Sequence, residues 1–120
     1  MLFLHIVDDY YLQGILAKLK QKSFWEENYP DPFYKNDYII ALIEHGFSWT
    51  FMVMLPFTFM MLYYNNYSMI TTYIVMFIGN WVIHSLVDHL KANVKVCSLI
   101  VDQLIHVAQV ISIWIIMMYT

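Results

Sequence analysis

The stretches Phe47 to Tyr63 and Ser68 to Val87 contain no charged residue, and Cys97 to Tyr119 contains one, Asp102. Each is long enough to cross a bilayer, which takes about 20 predominantly apolar residues. A chain of 120 residues that is 61% hydrophobic and 12% charged cannot bury so much apolar surface as a soluble domain. Met1 to Ala17 is a fourth apolar run, but it holds Asp8 and Asp9. An aspartate near the centre of a spanning helix costs about 2.5–3.5 kcal/mol on insertion scales, so this run needs its neighbours to insert. A cleavable signal is not expected, because no Lys or Arg precedes Lys18 and acids interrupt the apolar core. These patterns predict an all-α polytopic membrane protein, a four-transmembrane-helix bundle. It forms a single integral membrane domain over residues 1–120, with helices at about 1–20, 38–63, 68–90 and 97–119 and a loop at about 21–37. Pro56 should kink the second helix.

The charges set an expected topology. There is no arginine; Lys18, Lys20, Lys22 and Lys35 lie between the first and second runs, and Lys91 and Lys95 between the third and fourth. The connection between the second and third runs, YYNNYS, is uncharged. The positive-inside rule then places the lysine-bearing connections in the cytoplasm and both termini outside. In QKSFWEENYPDPFYKN, residues 21–36, Trp25, Tyr29, Phe33 and Tyr34 accompany two prolines. That mixture suits a segment at the level of the lipid head groups as well as it suits an ordinary loop. The lone Cys97 excludes a disulfide within the chain.

Each apolar run also carries ionisable groups in register. His5, Asp9 and Gln13 are spaced i, i+4, i+8; His84, Asp88 and Lys91 are spaced i, i+4, i+7; Asp102 and His106 are spaced i, i+4. At about 100° per residue each set lies along one helix face. His45, beside Glu44, is the contribution of the second run, while His89 lies off the stripe and reads as interfacial. Asp8 is turned about 100° from Asp9 and is expected outside the set. At about 1.5 Å of rise per residue from the nearest lysine, the sets fall in overlapping layers on the lysine-bearing side. Gly14, Gly46 and Gly79, next to these groups or a turn away, fit close helix approach there.

Carboxylates in hydrocarbon take up protons or find a cation, and Lys91, beside Asp88, is the one lysine expected deep enough to pair. Imidazoles and carboxylates on facing helices are what a zinc, manganese or iron site in a helical bundle uses. The candidate ligands are His5, Asp9, His45, His84, Asp88, Asp102 and His106, with Gln13 and Gln103 as residues that orient them. Seven exceed the four of one zinc, so either two ions bind or the surplus serves as acid, base and support. Asp9, Asp102 and Lys91 are the candidate catalytic residues. Without a metal, the same groups would bond helices together at about 0.6 kcal/mol each.

The segments HIVDDYYLQ, HSLVDHLK and DQLIH resemble, in order and spacing, motifs of a family of small bacterial and phage membrane proteins, the domain of unknown function 3307. The resemblance covers nearly the whole chain and marks His5, Asp9, Gln13, His84, Asp88, Lys91, Asp102, Gln103 and His106. It implies a phage or bacterial inner-membrane setting, with phage encoding the expected source, and supplies no activity. The residues themselves point first to a metal-dependent hydrolase, with zinc as the leading ion, acting on a lipid or lipid-linked substrate. A non-enzymatic protein that binds or perturbs a host membrane component and an ion- or proton-conducting homo-oligomer are the alternatives. Nucleic acid is not an expected partner.

Overall fold

Three long helices dominate the computed structural model, which describes residues 1–65 and 68–120. They are α4 (Asp37–Tyr64), α5 (Ile70–His89) and α6 (Leu99–Met118). Each is long and apolar enough to cross a membrane. α4 runs through Pro56 and ends at Asn65, whose left-handed backbone (φ 50°) closes the helix. The next two residues of the uncharged connection, Asn66 and Tyr67, lie outside the described residues. α5 passes into a π-helical turn, Leu90–Val94, and stops at Lys95, also left-handed at φ 60°. α6 starts at Ser98, whose hydroxyl accepts from the Val101 N–H and so satisfies one of the helix's unpaired donors.

The first run departs from the expected helix over residues 1–20. It forms α1 (Leu2–Ile6), a π-helical continuation Val7–Leu12, a turn at Gly14 and a short α2 (Leu16–Leu19). Gly14 has φ +46°, a conformation that costs a side-chain-bearing residue and ends the first segment. Residues 2–12 cover about 16 Å at helical rise, near half of a bilayer's hydrocarbon. Among the described residues, therefore, three helices rather than four have spanning length. The stretch expected as a loop at 21–37 contains α3 (Lys22–Asn28) and a 3₁₀ turn, Pro32–Tyr34.

The bundle interior is sorted along its length. Trp49, Val53, Met54, Phe57 and Met61 of α4 pack with Met69 and with Val110, Ile113 and Met117 of α6 in an apolar core. Met1 packs against this core, so the first segment reaches only to its edge. The buried histidines and aspartates occupy the other end, where α5 leaves and α6 enters. Helices α4 and α5 meet at Gly46, where a Cβ would fall on the Ser85 hydroxyl and lie 3.2 Å from the Trp81 carbonyl oxygen. Gly79, expected at a close approach, has open space where its Cβ would be.

Candidate metal centre

His45 is the hub of the polar end. Its Nε2 lies 3.3 Å from each of three groups: His84 Nε2, Asp9 Oδ1 and Asp88 Oδ2. Ligands bound tetrahedrally at about 2.0–2.1 Å from zinc stand about 3.3 Å apart, so these separations match the edges of a metal polyhedron. Asp9, His45 and His84 form one group whose ligand atoms all lie within 4.8 Å of one another. His84, Asp88 and His106 form a second, and His84 is common to both. All five side chains are buried.

The hydrogen bonds around the histidines separate ligand candidates from supports. His106 Nδ1 faces Gln109 Oε1 at 3.1 Å, and the Gln109 amide donates to the Asn80 side-chain oxygen at 3.0 Å. Nδ1 is therefore a donor, and Nε2 lies 3.3 Å from Asp102 Oδ1 and 3.5 Å from Asp88 Oδ1, where a protonated ring would pair with both carboxylates. That Nε2 is buried without a hydrogen-bond partner, as are His45 Nδ1, His84 Nδ1, Asp8 Oδ2 and Asp102 Oδ1. Buried polar atoms are costly to leave unpaired, and four of these face one another: His106 Nε2 with Asp102 Oδ1 at 3.3 Å and His45 Nδ1 with Asp8 Oδ2 at 3.9 Å. His5 differs. Its Nδ1 accepts from the Trp49 indole at 2.7 Å and its Nε2 faces Gln103 Oε1 at 3.2 Å, so both ring nitrogens are engaged and it stands outside both groups.

Gln103 links His5 to the carboxylates, donating to Asp9 Oδ2 at 2.8 Å and Asp102 Oδ2 at 3.1 Å. Gln13 donates to the Asp9 carbonyl and supports the backbone rather than a ligand atom. The lysine pairing differs from the sequence expectation. Lys91 binds Asp102 at 2.6 Å, and Asp88 is taken by Lys20 at 2.5 Å, because the break at Gly14 turns α2 across the end of the bundle. Asp8 is also drawn in: it is fully buried, accepts from the Ser48 hydroxyl at 2.6 Å, and its Oδ2 lies 3.9 Å from His45 Nδ1. A π-helix winds more residues into each turn, so adjacent side chains diverge less and Asp8 and Asp9 both face inward. Glu44 is exposed, and His89 stacks on Tyr38 away from the cluster.

Beneath the cluster lies Trp49, stacked on His84 with ring centroids 4.3 Å apart. His84 and His106 are themselves 4.1 Å apart by centroid. A cleft of about 590 Å³ opens between the first segment and α6, with Leu2, Ile6 and Val107 on its walls and His5 and Gln103 at its polar side. No protein-family model, curated protein or solved structure matches the chain.

Proposed function

We propose that the cluster binds a divalent metal ion, with zinc first and manganese or iron as alternatives, and that the bound ion serves hydrolysis of a lipid or lipid-linked substrate. The observation that carries the reading is the pair of buried carboxylate–imidazole groups sharing His84, with ligand atoms at metal-polyhedron spacing. Charge is compatible with it: Asp8, Asp9, Asp88 and Asp102 outnumber Lys20 and Lys91 among the buried charged groups, so wherever the histidines are neutral a cation would offset carboxylate charge that the two lysines leave over. His84 would hold the ion together with Asp9 and His45 or with Asp88 and His106, the remaining pair completing its surroundings. Such an ion polarises a carbonyl or phosphoryl oxygen and generates a nucleophile at neutral pH.

The chain's own groups have distinct roles. Asp102 keeps one oxygen on Lys91 and leaves the other without a hydrogen bond beside His106, which makes it the better-placed general base; Asp9 is the second candidate. Lys91 offsets the charge on Asp102, and the Gln103 amide holds Asp9 and Asp102 in one orientation. The cleft beside His5 and Gln103 favours sideways entry of a substrate from the lipid. The reading includes the lysine-bearing end facing the cytoplasm of a bacterial inner membrane, and membership of the domain of unknown function 3307 family. A second reading, a metal-free network that bonds the helices while the protein binds a host membrane component, is favoured by the two lysine–aspartate pairs inside the cluster.

Elemental analysis of detergent-purified protein tests the proposal. One equivalent of metal per chain is expected, lost in His84→Ala and Asp88→Asn and kept in His89→Ala. Protein without metal above background, whose melting is indifferent to chelator, would leave the metal-free network standing.

A further inference from the structure

A second cavity lies outside the polar cluster, in the segment joining α2 to α4. After α3 the chain reverses through Pro30 and Pro32, and the 3₁₀ turn brings Tyr34 against Trp25. Trp25, Tyr29 and Tyr34 are in mutual contact, with centroids 5.4 Å, 5.6 Å and 6.4 Å apart. The Trp25 indole donates to the Leu19 carbonyl at 2.7 Å, which fixes its ring. Beside these rings is a cavity of about 320 Å³ lined by Trp25, Tyr29, Glu26, Asp31, Lys35 and the two prolines.

We propose that this cavity binds a phosphate-linked ammonium, the head group of a zwitterionic phospholipid. Aromatic faces attract a cation through the ring quadrupole, and Trp is the strongest of them. Asp31 is fixed at the cavity by accepting from the Phe33 N–H at 2.9 Å, and Glu26, which also pairs with Lys22 at 3.3 Å, adds a second carboxylate. Lys35 supplies the opposite charge for the phosphate.

The surroundings narrow the class of ligand. The segment is tied to the lysine-bearing end of α5: Asn93 accepts from the Lys22 N–H at 2.6 Å and donates to the Lys20 carbonyl at 3.0 Å. Lys18 and Lys95 are exposed in the same two connections and outside the ion pairs of the polar cluster, a setting that attracts any anionic lipid. An acidic, aromatic cavity within that setting favours a head group that carries its own ammonium. Trp and Tyr are also the side chains that settle at head-group depth. The site shares no residue with the metal cluster and stands independently of that reading.

Protein in detergent is titrated with short-chain phosphatidylethanolamine, short-chain phosphatidylglycerol and free phosphoethanolamine, reading tryptophan fluorescence in wild type and Trp25→Phe. Phosphatidylethanolamine should give a saturable change that is absent in Trp25→Phe, with phosphatidylglycerol weaker by about tenfold or more. The double variant Glu26→Gln, Asp31→Asn should weaken the phosphatidylethanolamine response by a similar factor with its melting temperature retained. Free phosphoethanolamine binding as tightly as the lipid would support the same recognition with a soluble ligand as its source. Equal responses to the two lipids, or a full response in Trp25→Phe, would overturn the proposal.

Discussion

Asp8 shows how a single side chain can reverse its expected role. On an ideal α-helix it would face away from Asp9; here it is buried, bound to Ser48, and its second oxygen looks at an unpartnered His45 nitrogen. At 3.9 Å the contact is longer than a hydrogen bond, so Asp8 would serve a bound metal by closing on His45 Nδ1: the other ring N–H of a metal-binding histidine almost always finds an acceptor, whose loss costs about 10–100-fold in affinity. With that closure Asp8→Leu should weaken the proposed metal by about that factor in chelator competition, and Asp8→Asn, which keeps a carbonyl acceptor, by less. Unchanged affinity in both would make Asp8 a bystander. Asn80 and Gln109 are absent from the residues expected from sequence, although spacing could have found them: Asn80 extends the His84, Asp88 stripe one turn back, and Gln109 follows His106 at i+3; Gln109 faces His106 Nδ1 and Asn80 holds Gln109. Lys20 was not legible, because its contact with Asp88 depends on the turn at Gly14 and on a segment far away in sequence.

At the scale of elements, the long uncharged runs gave α4, α5 and α6 because apolar length is a property of composition alone. The break in the first run had no such signal, since Gly14 is also what a closely packed membrane helix would carry. The same ambiguity divides Gly46 from Gly79, and packing resolves it. Gly46→Ala must displace the Ser85 hydroxyl from its contact with the Leu42 carbonyl and crowd the Trp81 backbone, so a loss of about 1–3 kcal/mol is expected. Gly79→Ala meets open space and should stay within about 0.5 kcal/mol of wild type. Thermal melts of the two variants in one detergent check the contrast, and equal losses would mean that α4 and α5 do not touch at Gly46.

For the whole molecule, the longest dimension of 51 Å exceeds the roughly 30 Å of hydrocarbon in a bilayer, so with that axis across a membrane one or both ends would stand in the head groups or beyond. The lysine-bearing end holds a native reporter, Cys97, partly exposed in the turn that leads into α6. With that end in the cytoplasm, a membrane-impermeant thiol reagent should label Cys97 in inverted vesicles far faster than in intact cells. Preferential labelling from outside would invert the proposed orientation. The end-to-end sorting of the interior also bears on how the chain enters the membrane. With the lysine-bearing end on the side of entry, what α4 and α5 carry through the hydrocarbon is the uncharged YYNNYS turn, while the aspartates, histidines and lysines of the cluster stay behind. No ionised side chain of the cluster then has to traverse the bilayer, and the site can close after the helices are in place.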